Sequence, residues 1–273
     1  MMYETMDELT AQSDKLPTPG QRNRWLKIYQ ERPAAPLRLY CFAHVGGAAS
    51  VYKQWPQYLS AEVEVCAVQL PGREERQNEN LCENIEEVVN KLITVVAADS
   101  RPAIFFGHSF GSILAFALAS RLKNLGMEPA SLIVSAKTAP HLPSKKLRSN
   151  LPRVQLVQEL VTMGGTPESV LSDSLMMDRA LRIVRADYCV LESFKPNNYL
   201  DSLACPIIAF EADEDTYTTG SGIDAWSEYT HSTFIKHVVS GGHFYINNHP
   251  AALFAVINSV VENINLNPQH HNQ

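Results

Sequence analysis

The chain has 273 residues, of which 45% are hydrophobic and 19% are charged, and its formal net charge at pH 7 is −6. This composition is typical of a globular protein with a sizeable core, and the length permits one large domain or two small ones. A mildly acidic chain is a poor electrostatic partner for nucleic acid or for anionic lipid. The longest uninterrupted apolar run, residues 113–119, is much shorter than the roughly 20 residues that span a bilayer. We therefore expect no nucleic-acid partner and no membrane partner.

The cysteine pattern indicates the compartment. The 5 cysteines are widely spaced and contain no C-x-x-C pair, which argues against a disulfide framework and against a zinc site of the usual spacing. The N-terminal residues are polar and acidic and lack the basic-then-apolar order of a signal peptide. Together these features favour a reducing, cytoplasmic location.

The predicted elements begin after an N-terminal extension. Residues 1–36 are rich in proline and show no sustained periodicity, so they are predicted to form that extension, with a short helix over residues 24–29. Short apolar runs predict strands over residues 37–42, 63–70, 103–106, 132–135, 207–210 and 234–239. Apolar stripes predict helices over residues 81–97, 109–125 and 251–264. Strands that alternate with helices predict an α/β fold, with a mostly parallel central sheet and helices on both faces.

One long segment interrupts this alternation. Residues 147–194 have helical character and no strand, although they lie between two strands that should be neighbours in the sheet. An insertion of this size above the strand ends predicts a helical lid, with bounds of about residues 144–198. A single domain over residues 37–264 then carries the lid, and residues 265–273 are expected to form a flexible tail.

The sharpest motif is a serine between two glycines. Gly107-His108-Ser109-Phe110-Gly111 has the pattern G-x-S-x-G and lies between a predicted strand and a predicted helix. In such an elbow the serine hydroxyl is exposed at the tip of a tight turn, and the glycines leave room where a Cβ would strike neighbouring backbone. The alternative is a tight turn in which the serine only caps the helix. We predict that Ser109 is a nucleophile.

A serine nucleophile needs a histidine base that an acid orients, and in this arrangement the order along the chain is serine, acid, histidine. Among the 9 histidines, His243 is preferred because it follows the strand predicted at residues 234–239 in a glycine-bent loop. The acids that follow the strand at residues 207–210 are Glu211, Asp213, Glu214 and Asp215. Because both loops follow parallel strands, they should lie at the same edge of the sheet as the elbow. The pattern alone leaves the choice of acid open.

A second glycine loop follows the first clear strand. His44-Val45-Gly46-Gly47 is similar to the loop that supplies one backbone N–H group to an oxyanion hole, and the residue after the nucleophile supplies the other. We therefore expect the donors to be Val45 and Phe110. A plain glycine turn is the alternative interpretation.

Several motifs together resemble one known family. They are Cys41-Phe42-Ala43-His44-Val45-Gly46-Gly47, Gln69-Leu70-Pro71-Gly72-Arg73-Glu74, Gly107-His108-Ser109-Phe110-Gly111, Gly164-Gly165-Thr166-Pro167, Arg185-Ala186-Asp187 and Gly241-Gly242-His243-Phe244. In this combination the chain resembles the type II thioesterases, the stand-alone α/β-hydrolases that accompany polyketide synthases and nonribosomal peptide synthetases. The resemblance covers about residues 37–261.

The resemblance carries implications for activity and for the site. It implies hydrolysis of acyl groups from the phosphopantetheine arm of acyl or peptidyl carrier proteins, which clears misprimed or stalled units. It implies a triad of Ser109, Asp215 and His243, with Asp213 as the runner-up for the acid because Ala212 stands where the family pattern has glycine. No cofactor of the enzyme's own is implied, since the carrier protein brings the phosphopantetheine.

Other functions stay open at this stage. A relative within the same family releases medium-chain fatty acids from fatty acid synthase, and a generic carboxylesterase would use the same three residues. A non-catalytic partner that binds carrier proteins through a hydrolase-like scaffold is a further alternative, against which the intact triad argues.

Basic residues outside the triad have simpler interpretations. Arg73 and Arg185 are expected to form structural salt bridges. Because carrier proteins are commonly acidic and this chain is acidic too, net attraction cannot steer their encounter. Lys145, Lys146 and Arg148 at the lid entry are therefore a hypothetical local basic patch for the carrier.

Overall fold

A seven-stranded sheet forms the centre of the molecule, in a computed structural model that describes residues 24–142, 147–199, 201–248 and 250–266. The strands are β1 (Leu26–Lys27), β2 (Leu37–Phe42), β3 (Val63–Val68), β4 (Ala103–His108), β5 (Ser131–Ser135), β6 (Ile207–Ala212) and β7 (Phe234–Val239). Their spatial order is β1-β3-β2-β4-β5-β6-β7, in which β1 is antiparallel to β3 and every other neighbouring pair is parallel. The predicted mostly parallel sheet is confirmed.

Helices cover both faces of this sheet. They are α1 (Ile85–Val96), α2 (Phe110–Lys123), α3 (Arg153–Met163), α4 (Glu168–Leu171), α5 (Ser174–Ser193), α6 (Gly220–Asp224), α7 (Tyr245–Asn248) and α8 (Ala251–Leu266). α1 and α2 contribute to one buried apolar cluster, and α8 contributes to another. The strands β2 to β6 are largely buried on both sides because each cluster covers one face, which explains why their sequences are mostly apolar. No helix in the described part of the chain is long and apolar enough to cross a membrane.

The start of the sheet differs from the prediction. Arg24 and Trp25 are helical, but Leu26–Lys27 forms the edge strand β1, where a helix over residues 24–29 was predicted. Leu26 is buried in the core and pairs with Val68 of β3, so the described end of the predicted extension belongs to the sheet. Two residues are too few to show a strand period, and the free edge of β3 favours this pairing in a way that the local sequence does not show. Residues 1–23 lie outside the described part of the chain.

The lid segment contains α3, α4 and α5 and lies between β5 and β6, which are parallel neighbours in the sheet. Its buried core contains side chains of α3 and α5, among them Leu156, Leu160 and Val184. Gly164 ends α3 with a left-handed φ of 78°, the conformation that glycine adopts most easily. At the C-terminus, α8 extends to Leu266, and the rest of the predicted tail lies outside the described residues.

Candidate active site

The strand β4 and the helix α2 meet at Ser109. This residue has φ 53° and ψ −115°, a conformation that non-glycine residues rarely adopt, and its N–H donates to the carbonyl of Ser135 at 2.8 Å. A Cβ added to Gly111 would collide with the carbonyl oxygen of Phe42, and one added to Gly107 would collide with the backbone of Gly111. The two glycines therefore allow α2 to start directly against β2 and β4, which fixes the strained serine at the tip of the turn.

His243 and Asp215 complete a hydrogen-bonded chain with this serine. His243 Nε2 lies 3.0 Å from Ser109 Oγ, and His243 Nδ1 lies 2.8 Å from Asp215 Oδ2. The side chains of His243 and Asp215 are 5% and 0% exposed. Because the carboxylate accepts from Nδ1–H, Nε2 is left as the acceptor for the serine proton. This arrangement can activate a serine hydroxyl as a nucleophile.

Asp215 is held in place by its own loop. Its Oδ1 accepts from the N–H of Tyr217 at 2.8 Å, and its Oδ2 accepts from Thr218 Oγ1 at 3.0 Å. Burial raises the pKa of the Asp215 carboxyl, but its hydrogen bonds with His243, Tyr217 and Thr218 favour the ionised form, and the net pKa is below its ordinary value. The carboxylate is therefore ionised at neutral pH.

Asp213, the alternative acid, has a different position. It is exposed, and its Oδ1 accepts from the N–H of Gly241 at 2.8 Å. Its carboxylate therefore fixes the backbone of the glycine loop that precedes His243 and has no hydrogen bond to the imidazole.

The glycine loop after β2 contains the first expected oxyanion donor. The N–H of Val45 has no acceptor among the residues that the structure describes. Phe110 is the first residue of α2, so its N–H lacks an intrahelical partner and lies at the positive end of the helix dipole. Val45, Ser109 and His243 line the same chamber. Both expected donors therefore have an N–H group available for an oxyanion.

Arg73 forms the salt bridge expected of it, in a buried ion pair that anchors the same loop. Arg73 donates to both carboxylate oxygens of Asp187, at 2.6 and 2.9 Å. Asp187 Oδ2 also accepts from the N–H of Gly46 at 2.7 Å, and Arg73 donates to the carbonyl of Gly47 at 2.8 Å. The sequence motifs contained both residues, but they are 114 positions apart and nothing in their spacing indicated that they meet.

The expectation of a salt bridge for Arg185 is wrong, and Arg148 of the hypothetical basic patch has an acidic partner. Arg185 donates to the carbonyls of Ser149 and Leu151, both at 2.6 Å, and thus holds the lid entry by hydrogen bonds; it pairs with no carboxylate among the residues that the structure describes. Arg148 is half-buried and pairs with Glu159 at 2.7 Å, so it is not an available cation of a surface patch. The other two members of that hypothetical patch, Lys145 and Lys146, lie outside the described residues.

A chamber with a volume of about 900 Å³ lies above Ser109. Its walls combine residues at the edge of the sheet with apolar side chains of the lid, among them Leu160, Val170 and Leu191. The lid loop at Gly165 packs directly on the ring of Phe244, where a Cβ would collide with that ring. This is the concave, largely apolar site that an acyl chain requires, with the hydrogen-bonded serine at its wall.

Two further histidines surround the serine but do not act on it. His108 is buried, its Nδ1 lies 2.9 Å from Ser135 Oγ, and burial lowers its pKa well below the ordinary value. His44 Nδ1 donates to the carbonyl of Val45 at 2.9 Å, and burial lowers its pKa. Both are neutral at pH 7, so neither adds a positive charge beside His243.

The fold and the Ser-His-Asp arrangement define an α/β-hydrolase. Residues 37–261 match the family described as "Thioesterase domain". The chain belongs to the thioesterase family and is a hydrolase of thioesters, as the motifs indicated.

Similar proteins specify the branch of that family. The chain is 36% identical to the gramicidin S biosynthesis protein GrsT of Aneurinibacillus migulanus over 234 residues, which are 83% of this chain and 90% of that protein. It is 32% identical over 246 residues to the medium-chain S-acyl fatty acid synthase thioesterase of Rattus norvegicus, 87% of this chain and 90% of that protein. The solved structure of the type II thioesterase BorB from the borrelidin biosynthetic cluster shares 35% identity and a TM-score of 0.79, and the match covers 87% of this chain and 97% of that chain. The resemblance to type II thioesterases that the sequence motifs indicated is confirmed.

Proposed function

We propose that this thioesterase removes acyl groups from the phosphopantetheine arm of acyl or peptidyl carrier proteins that belong to a polyketide synthase or a nonribosomal peptide synthetase. The observation that carries the proposal is the hydrogen-bonded chain of Ser109, His243 and Asp215 at the wall of the apolar chamber. The relationship to GrsT and to BorB supports the choice of carrier-bound substrates.

The chemistry has two steps. In the first, His243 takes the Ser109 proton while Oγ attacks the thioester carbonyl, Asp215 holds the imidazole, and the N–H groups of Val45 and Phe110 stabilise the oxyanion. The tetrahedral intermediate collapses, the C–S bond breaks, and the pantetheine thiol leaves with a proton from His243. In the second step, water that His243 deprotonates attacks the acyl-serine, and Ser109 Oγ leaves with that proton.

The proposed mechanism uses no cofactor and no metal ion of the enzyme, because the thiol leaving group and the arm belong to the carrier protein. A cytoplasmic place of action is also proposed. It is supported by the 5 cysteines, all of which carry free thiols in the described structure.

The experiment is a comparison of substrates on the wild type and on Ser109→Ala. We expect acyl-carrier thioesters to be hydrolysed at a much higher kcat/KM than simple oxyesters, and we expect Ser109→Ala to lose this hydrolysis with an unchanged circular dichroism spectrum. Faster cleavage of oxyesters would overturn the thioester substrate, and persistent activity in Ser109→Ala would overturn the nucleophile. The same acyl group as a free pantetheine thioester, without the carrier protein, is the control for carrier recognition.

A second candidate is the release of medium-chain acids from a fatty acid synthase, which the 32% identity to the rat enzyme favours. A panel of acyl chains on one carrier separates the two functions. A sharp preference for medium chains supports release, whereas broad hydrolysis of short and α-substituted units supports editing.

A further inference from the structure

The contact between Arg73 and Asp187 joins two parts of the molecule that are distant in sequence. Asp187 is on α5 of the lid, and Arg73 follows β3. Their side chains are 2% and 5% exposed. A buried ion pair gives little net stability compared with well-packed apolar side chains, because desolvation offsets the attraction. Fold stability alone is therefore a weak reason for a pair of this kind at this place.

The pair holds a specific peptide group of the oxyanion loop. The peptide between Val45 and Gly46 has its N–H bound to Asp187 Oδ2 at 2.7 Å and its C=O bound to His44 Nδ1 at 2.9 Å. On the far side, the carbonyl of Gly47 accepts from Arg73 at 2.8 Å. In the intervening peptide, the N–H of Gly47 donates to the carbonyl of His44 at 2.9 Å. The loop is thus fixed at three consecutive peptides, and rotation of any of them would break a hydrogen bond.

The donor direction of Val45 depends on this fixation. Gly46 has a left-handed φ of 76°, and Val184 of α5 lies 3.0 Å from the position that a Cβ on Gly46 would occupy. The loop is therefore confined by α5 through packing as well as through Asp187. If this contact is lost, the His44–Val45 peptide that carries the donor is held within the loop only by the bond from the Gly47 N–H to the carbonyl of His44 at 2.9 Å, and the Val45 N–H can turn away from the reacting carbonyl.

Arg73 has an additional electrostatic role. A lone carboxylate beside Gly46 would oppose the negative charge that develops on the thioester oxygen. The guanidinium donates two hydrogen bonds to this carboxylate and neutralises its charge, while one carboxylate oxygen still accepts the hydrogen bond from the loop. Asp187 can thus orient the loop without adding net charge beside the oxyanion.

We propose that Asp187 and Arg73 are positioning residues that set the oxyanion donor Val45, so that helix α5 of the lid is a fixed part of the catalytic framework. This proposal rests on the proposed function, because it assumes that Val45 donates to the oxyanion of a thioester. A displaced donor of this kind costs roughly 10- to 100-fold in rate. The loss should fall on kcat, since the ground-state thioester does not need the donor.

The test uses an acyl-N-acetylcysteamine thioester as substrate and the matching acyl trifluoromethyl ketone as a transition-state analogue, which forms a tetrahedral oxyanion on Ser109. For Asp187→Ala we expect kcat to fall roughly 10- to 100-fold with KM changed less than about threefold, and the affinity for the ketone to fall by the same factor as kcat. Asp187→Asn, which keeps one acceptor oxygen, should lie between Asp187→Ala and the wild type.

The control is Glu64→Gln. Glu64 is also a buried carboxylate that pairs with arginines, Arg38 and Arg101, but it lies near the start of β3, at the opposite end of the sheet from Ser109. This variant should lose stability while kcat and ketone affinity stay at the wild-type level. If Asp187→Ala fails to fold, Arg73→Lys takes its place, because it keeps the charge and loses the two-point contact.

The outcomes separate the two proposals. An inactive wild type on thioesters contradicts the proposed function itself. An active wild type, with Asp187 and Arg73 variants that match Glu64→Gln in kcat and ketone affinity, overturns only the positioning role. A rise in KM without a fall in kcat also overturns it, because that result assigns Asp187 to substrate binding.

Discussion

Asp215 and Asp213 are two positions apart and carry the same functional group, but their surroundings differ. The Asp215 carboxylate accepts from His243, Tyr217 and Thr218, whereas Asp213 binds the backbone of Gly241. The sequence left this choice open because both residues follow β6. The difference arises from the turn after β6, which directs one side chain toward the imidazole and the other toward solvent.

The first prediction concerns these two acids. Asp215→Asn removes the acceptor that keeps Nδ1 protonated, so His243 can adopt the wrong tautomer, and kcat should fall about 10³- to 10⁴-fold. Asp213→Asn is the matched control and should change kcat less than about tenfold, because its amide oxygen can still accept from Gly241. Steady-state hydrolysis of one acyl thioester by both variants decides the assignment, and the reverse order of effects would assign the role to Asp213.

A second prediction follows from the lowered pKa of Asp215. A carboxyl whose pKa is lower in the folded than in the unfolded protein stabilises the fold above its unfolded pKa of about 4, and this contribution is lost as the pH falls through the folded pKa. The free energy of unfolding of the wild type should therefore fall more steeply below about pH 4 than that of Asp215→Asn. Urea unfolding at a series of pH values measures both slopes, and identical slopes would contradict the prediction.

At the scale of elements, the approach of α2 to β2 is what exposes the serine. It requires Gly111, since a Cβ there would collide with the carbonyl oxygen of Phe42. The backbone of a central strand, unlike a flexible side chain, cannot move aside to make room for a methyl group. The elbow is therefore a rigid joint between a strand and a helix, and its geometry depends on the absence of one carbon atom.

This joint gives a third prediction. Gly111→Ala should lower the free energy of unfolding by about 3 kcal/mol or more, because a buried backbone must move to accept the methyl group. Gly126→Ala is the control: Gly126 has a positive φ, 72°, which Gly111 does not have, but nothing lies within 4 Å of the added methyl group. That variant should lose only about 1–2 kcal/mol of backbone strain. Comparable urea midpoints for the two variants would contradict the steric argument.

The lid offers a fourth prediction about acyl specificity. Leu160 and Leu156 are both buried in the apolar core of the lid, but only Leu160 lines the chamber. Each change to alanine should cost about 2–5 kcal/mol of stability. Leu160→Ala should also shift kcat/KM toward longer or branched acyl groups, because it widens the chamber. An equal shift in Leu156→Ala would mean that general loosening of the lid, and not the chamber wall, sets the preference.

At the scale of the whole molecule, the sequence predicted those elements that depend on a local pattern of apolar residues. The strands β2 to β7 and the helix-rich insertion were predictable because apolar runs and stripes are read over a few residues. The strand β1 was not, since its two residues have no period of their own. The contact of Asp187 with Gly46 spans 141 positions, and no local pattern encodes a partner at that distance. The role of Arg185 was missed for a related reason, because backbone carbonyls leave no signal in a sequence.

The same distance along the chain determines when the parts of the active site are synthesised relative to one another. A chain emerging from the ribosome completes β2, β4 and the elbow long before Asp187 is made, and His243 comes later still. During this interval the loop at Gly46 lacks its anchor and Ser109 lacks its base. A nascent chain therefore cannot hydrolyse thioesters, and the enzyme becomes active only after the loop that contains His243 has been synthesised.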